Sequence, residues 1–158
     1  MRNLPKDWRE FAESLNAREV RYVIVGALAV AYHGWPRMTG DIDVLVEPTE
    51  ANARRLEAAL RDFGFGSLGL TASDFLVPNR VVRLGHQPNR IDILTSLTGV
   101  TFAEAWAGKC DATLDGVPVH FLGRTELERN KKACGRPTDL ADLDSLRGPR
   151  PDRSGGAA

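Results

Sequence analysis

A chain of 158 residues, 42% hydrophobic and 27% charged, has the length of one domain and enough apolar side chains to fold without cross-links. Its 21 Lys and Arg balance 21 Asp and Glu, which excludes a generally basic nucleic-acid coat or a polybasic membrane binder but leaves room for a local basic patch. Two cysteines, Cys110 and Cys134, in no metal-like spacing, exclude a disulfide scaffold and a Cys-rich zinc site.

The N-terminus has no apolar signal core, and no run reaches the eighteen or so apolar residues that span a bilayer. The expectation is a cytoplasmic protein with reduced thiols and no membrane partner. Residues 5–17 read as a helix, with Pro5 in the first turn and Trp8, Phe11 and Leu15 at helical spacing. Tyr22–Val25 is a short apolar strand ended by Gly26, and Ala27–His33 suit a helix stopped by Gly34-Trp35-Pro36. In the strand Asp41–Val46, Ile42, Val44 and Val46 face one way and Asp41, Asp43 and Leu45 the other. A strong helix, Glu50–Phe63, follows Pro48-Thr49 and stops at Gly64.

The stretch 66–78 has no clear period, though Ser73 suits a one-turn cap. Arg80–Leu84 and Arg90–Thr95 read as paired strands. Thr101 and Glu104 form a capping box, and Asp115-Gly116 is a hairpin turn between strands at 110–114 and 117–121. Thr125 with Glu128 suits the cap of a helix running to Cys134 and ended by Gly135, and Pro137 opens a last helix to Leu146. There is no internal repeat. The pattern predicts one α/β (α+β) domain over 1–147 with a mixed central sheet, and a disordered Gly/Pro-rich tail over 148–158.

Three features carry chemistry. An apolar strand enters a helix through the small pair Gly26-Ala27, where backbone N–H groups can meet phosphate oxygens; a plain tight turn looks the same in sequence. Asp41 and Asp43, at i and i+2, share one strand face, and two such carboxylates are not buried together without a cation between them. They precede a core-like strand, although a solvated strand end would read similarly. Asp92 is a lone acid among apolar residues, and by itself reads as a strand residue paired with Arg90 or Arg83.

In this order and spacing, with Asp41 fourteen residues past Ala27, the features resemble the DNA polymerase β-like nucleotidyltransferase superfamily. Its pattern is an apolar strand, Gly followed by Gly or Ser, a helix, then Asp-x-Asp, and a third acid on a neighbouring strand. Here Ala27 stands where Gly or Ser is usual, keeping the small size and the N–H but losing a hydroxyl. The run from Val25 to Asp43, and Asn130 to Asp142 with its Lys-containing helix followed by an acid-bearing one, are similar to small stand-alone bacterial members related to AbiEii-type toxins.

The resemblance implies an Mg²⁺- or Mn²⁺-dependent enzyme. It would move a nucleotide from an NTP to an acceptor hydroxyl of RNA, protein or a small molecule, with a cognate antitoxin as a partner. Asp41, Asp43 and Asp92 would be the catalytic and metal residues. Gly26, Ala27, Arg37, Thr39, Lys131, Lys132 and Arg136 would serve the nucleotide.

Residues 124–136 hold five bases against two acids, which also suits a solvated helix face. Asp139 and Asp142 share a face and read as partners of nearby bases. His33 reads as packed or as a helix C-cap, His86 and His120 have no evident partner, and Trp8, Trp35 and Trp106 read as core or rim. Two other functions stay open. One is a non-catalytic nucleotide-binding or protein-interaction module, which Ala27 and the neutral charge favour. The other is a protein-modifying antitoxin, whose Gly-Ser-x-Ala-Arg-Gly loop is absent here.

Overall fold

The computed structural model describes residues 5–34 and 39–148. The helix stop at Trp35-Pro36, Arg37 and the tail from 149 lie outside the described residues. Helix α1, Lys6–Ala17, forms because Trp8, Phe11, Ala12 and Leu15 fall on one face and are buried there. Strand β1, Tyr22–Val25, is buried at every position, so both sides of the sheet are covered at its centre. Then come α2 (Gly26–Tyr32), β2 (Asp41–Val46) and α3 (Glu50–Phe63). After two 3₁₀ turns, Gly66–Leu68 and Ala72–Phe75, the chain continues through β3 (Val81–Leu84), β4 (Arg90–Leu94) and α4 (Phe102–Gly108). It ends with β5 (Cys110–Leu114), β6 (Val117–Phe121), α5 (Arg124–Cys134) and α6 (Pro137–Arg147).

The six strands form one mixed sheet in the order β3-β4-β2-β1-β6-β5. β1 and β2 are antiparallel, β2 and β4 parallel, β3 and β4 antiparallel, β1 and β6 parallel, and β5 and β6 a hairpin. This is the single mixed α/β domain the sequence predicts. Leu45, on the same face as the aspartates, is as buried as Val44, because that face is also covered further along the strand.

One buried polar side chain ties the centre together. Asn52 of α3 accepts from the Arg21 N–H at 2.7 Å and donates to the carbonyls of Arg21 and Glu47 at 3.0 Å each. It thus clamps the start of β1 to the end of β2 and leaves no buried amide group unsatisfied at that point.

Several local expectations are corrected. α2 begins at Gly26 itself rather than Ala27. Thr71, not Ser73, is the N-cap of the second 3₁₀ turn, because Asp74 completes a capping box with it. Gly123, not Thr125, is the N-cap of α5; its carbonyl already accepts from Leu127 at 2.9 Å, which puts Thr125 inside the helix. Arg80 and Thr95 fall just outside β3 and β4. There the Thr95 hydroxyl takes over, accepting from the Arg80 N–H at 2.9 Å and donating to the Val77 carbonyl at 2.7 Å. His120 does have a partner, Asp111, at 2.6 Å across the β5–β6 hairpin. His33 is the C-cap of α2 and is buried, its Nε2 2.7 Å from the Leu122 carbonyl.

Candidate active site

Strand register assembles the site. Val25 pairs with Asp43, and Asp43 pairs with Asp92, so the end of β1, the start of β2 and the middle of β4 lie side by side. Asp41, Asp43 and Asp92 therefore converge although 49 residues separate Asp43 from Asp92. One carboxylate oxygen from each lies within 4.8 Å of the others. Gly26 sits directly over this cluster at φ +69°, and a Cβ there would stand 2.2 Å from Asp43 Oδ2. Glycine is needed for both the left-handed backbone and the close approach.

The cluster is electrostatically crowded. Burial, then the charges of Asp41 and Asp92, push the Asp43 carboxyl up to about 7. Arg90, which opens β4 opposite Asp41, offsets part of the charge. Its Nη2 lies 2.6 Å from Asp41 Oδ2 and 3.3 Å from Asp92 Oδ2, and its Nε lies 3.1 Å from Asp92 Oδ1. The Thr39 hydroxyl is within hydrogen-bond distance of the Asp41 carbonyl at 3.0 Å and of its carboxylate at 3.1 Å. Thr39 therefore positions a site aspartate.

The three aspartates open onto a cavity of about 500 Å³, inside the range of small-ligand pockets. Gly26 lines it from the start of α2, Arg80 and Arg83 line it from the β3 side, and Lys131 and Arg136 line it from α5 and the turn after it. Lys131 is buried, 3.4 Å from Asp139 and 3.0 Å from Asp142. Hydrogen bonds from the Arg136 side chain, aided by Lys131 and working against burial, hold Asp139 below the usual carboxylate range. Asp139 and Asp142 thus do pair with neighbouring bases.

Of the residues singled out in the sequence, Gly26, Asp41, Asp43, Asp92, Lys131 and Arg136 share this cavity. Ala27 sits in the first turn of α2 and is not part of the wall, and Lys132 is exposed and points elsewhere. Arg37 lies outside the described residues. Arg90 was legible only as a partner for Asp92; the signal for more was its position two residues before that acid, on the same strand face. Asn79, Ser96 and Asn130 also line the cavity, and of these only Asn130 lies in a run the sequence singles out, without a role of its own.

The cluster passes a simple test for a hard divalent cation. Ligand oxygens on opposite sides of Mg²⁺ sit about 4.2 Å apart, and around Ca²⁺ closer to 4.8 Å. Of three ligand oxygens at most one pair can stand opposite and the others sit about 2.9 Å apart around Mg²⁺, so the observed oxygens, mutually within 4.8 Å, would draw together around a bound ion. All three donors are carboxylates, the chemistry such cations select.

No family model matches the chain, and no curated protein matches it in sequence. Among solved structures it is similar to the crystal structure of a "putative nucleotidyltransferase" from Thermotoga maritima, at a TM-score of 0.55 and 18% identity over 89% of this chain and 88% of that one. The chain has a nucleotidyltransferase-like fold. Among the described residues no helix is long and apolar enough to cross a membrane.

Proposed function

We propose that the protein is a cation-dependent nucleotidyltransferase that moves a nucleotide from an NTP to an acceptor hydroxyl. The observation that carries this reading is the convergence of Asp41, Asp43 and Asp92 on one cavity beneath Gly26, in a nucleotidyltransferase-like fold. The three carboxylates would hold Mg²⁺ or Mn²⁺, and such ions stabilise charge on the attacking and leaving oxygens of an in-line displacement.

The protein's own groups do the rest. Gly26 keeps its part of the cavity wall bare of side chain, with Ala27 next to it, so phosphate can approach the backbone. Lys131 and Arg136 face the phosphates and balance their charge, while Thr39 keeps Asp41 oriented. The acceptor oxygen bonds to the α-phosphorus as the bond to the bridging oxygen breaks, and pyrophosphate leaves. To Asp92, whose Oδ1 makes no hydrogen bond, we assign the role of taking the hydroxyl proton.

An RNA 3′ end is the acceptor we favour, with a toxin-like role, a cytoplasmic location and a cognate antitoxin. Support comes from the resemblance noted in the sequence and from the arginines at the cavity wall. The decisive experiment is Mg²⁺-dependent transfer of labelled NTPs to RNA and protein pools. Equal transfer by wild type and an Asp41→Asn/Asp43→Asn variant would sink the catalytic reading.

A second reading is a nucleotide-binding module without turnover, favoured by Arg90 occupying part of the aspartate cluster. Under it, nucleotides with Mg²⁺ raise the melting temperature but no transfer follows.

A further inference from the structure

Arg90 stands where the cation would stand. Its guanidinium bridges two of the three carboxylates, at 2.6 Å from Asp41 and 3.1 Å from Asp92. The 2.6 Å bond places positive charge directly on Asp41 Oδ2, one of the carboxylate oxygens of the cluster. The contact with Asp92 is looser, with one hydrogen bond from Nη2 to Oδ2 at 3.3 Å. Arg90 Nε and Asp92 Oδ1 are both buried and 3.1 Å apart, yet neither is in a hydrogen bond with the other. The same two nitrogens of Arg18 hold both oxygens of Asp62 more closely, at 2.7 and 3.0 Å. Arg90 instead reaches across two acids at once. It also lines the open cavity together with Lys131 and Arg136, so it has room to leave without leaving the site.

We propose that Arg90 is a resident counter-cation that competes with the divalent metal for Asp41 and Asp92, and that the phosphates of the nucleotide receive its guanidinium when the metal enters. This inference rests on the reading of the three aspartates as the metal centre. A divalent ion on these oxygens would sit within a few ångströms of the guanidinium, and like charges at that range in a partly buried site repel strongly. Metal alone must break the Arg90 contacts without replacing them. Metal with a polyphosphate supplies the replacement. Cation and phosphate binding are therefore coupled through Arg90, and by linkage each strengthens the other.

The test is Mn²⁺ binding by the full chain, followed by electron paramagnetic resonance and calorimetry, with and without inorganic tripolyphosphate. Without phosphate, Arg90→Gln is expected to bind Mn²⁺ at least about tenfold tighter than wild type. Arg90→Lys, which keeps the charge but loses the fork, should fall between them. Adding tripolyphosphate should improve Mn²⁺ binding more in wild type than in Arg90→Gln.

If Arg90→Gln fails to fold in chelator but folds when Mn²⁺ is added, the ion has taken over the role of the guanidinium, which supports the proposal. Equal or weaker Mn²⁺ binding by both variants would overturn it, because Arg90 would then be a support that stays in place around the metal. Wild type that binds Mn²⁺ while the variants gain nothing refutes the Arg90 proposal alone. Absence of Mn²⁺ binding in wild type and variants, even with tripolyphosphate, removes the metal-centre reading as well.

Discussion

Replacing Gly26 with alanine adds one methyl group at the most constrained point of the site. Two costs can be worked out. Residue 26 has φ +69°, a left-handed conformation that costs an L-residue about 1–2 kcal/mol. The new Cβ also meets Asp43 Oδ2 at 2.2 Å, Cγ at 3.0 Å and Cβ at 3.2 Å. Rotating the carboxylate relieves only the first of these contacts. The stem of Asp43 is fixed because β2 is laddered to β1 on one side and β4 on the other. Overpacking of this kind typically costs about 1–3 kcal/mol.

The sum is about 2–5 kcal/mol, or a fall in melting temperature on the order of 10 °C for a domain of this size. Urea titration in chelator measures the loss. A cycle with Asp43→Ala separates the two costs. In that background the contacts with Oδ2 and Cγ vanish, and the backbone part, about 1–2 kcal/mol, remains with the milder 3.2 Å contact to Cβ. Gly26→Ala within about 0.5 kcal/mol of wild type, or a cycle with no coupling, would refute the steric argument.

Lys131→Met removes the buried cation that faces Asp139 and Asp142 and should cost about 3 kcal/mol, whereas Lys132→Met on the exposed face should stay within about 0.5 kcal/mol; thermal unfolding of the two side by side decides. Asp43→Asn removes one of three crowded carboxylates and should stabilise the cation-free protein by about 0.5–2 kcal/mol while abolishing stabilisation by Mn²⁺, and a lower melting temperature in chelator would contradict the crowding argument. Glu104 is held down to about 2 by the Thr101 backbone N–H, then by the Arg129 side chain and the Thr101 hydroxyl. Its stabilising contribution is complete above its ordinary value of 4.5 and lost as pH falls through about 2, so NMR titration of its carboxyl should show an unusually acidic midpoint, and a midpoint above 4 would rule out the capping box in solution.

The sequence made the local grammar of this fold readable because the relevant signals are short-range. Thr101 and Glu104 announce their helix from three residues apart, and Asp115-Gly116 announces its hairpin. Asp41 and Asp43 could be placed on one face by strand alternation alone. What was not readable depends on register between distant segments. In residues 124–136 the one signal separating Lys131 from Lys132 is Leu127, four residues before Lys131 on the same helix face, and the acids that meet Lys131 come only with the docking of α6. Arg90 looked like a simple partner for Asp92, and its reach to Asp41 follows from a parallel β2–β4 pairing that no local pattern encodes. The wall of the cavity made by Asn79, Ser96 and Asn130 comes from three separate segments of the chain.

The docking of α6 has a consequence for the site it flanks. Among the described residues that segment gives the cavity wall only Arg136, at its N-cap. Yet Asp139 and Asp142 stand behind Lys131 and neutralise it from the rear. The strength with which Lys131 attracts an anion is therefore set by how tightly the last helix is seated. Anything that loosens α6 changes the voltage of the cavity before it changes its shape, and seating and charge at that wall behave as one variable.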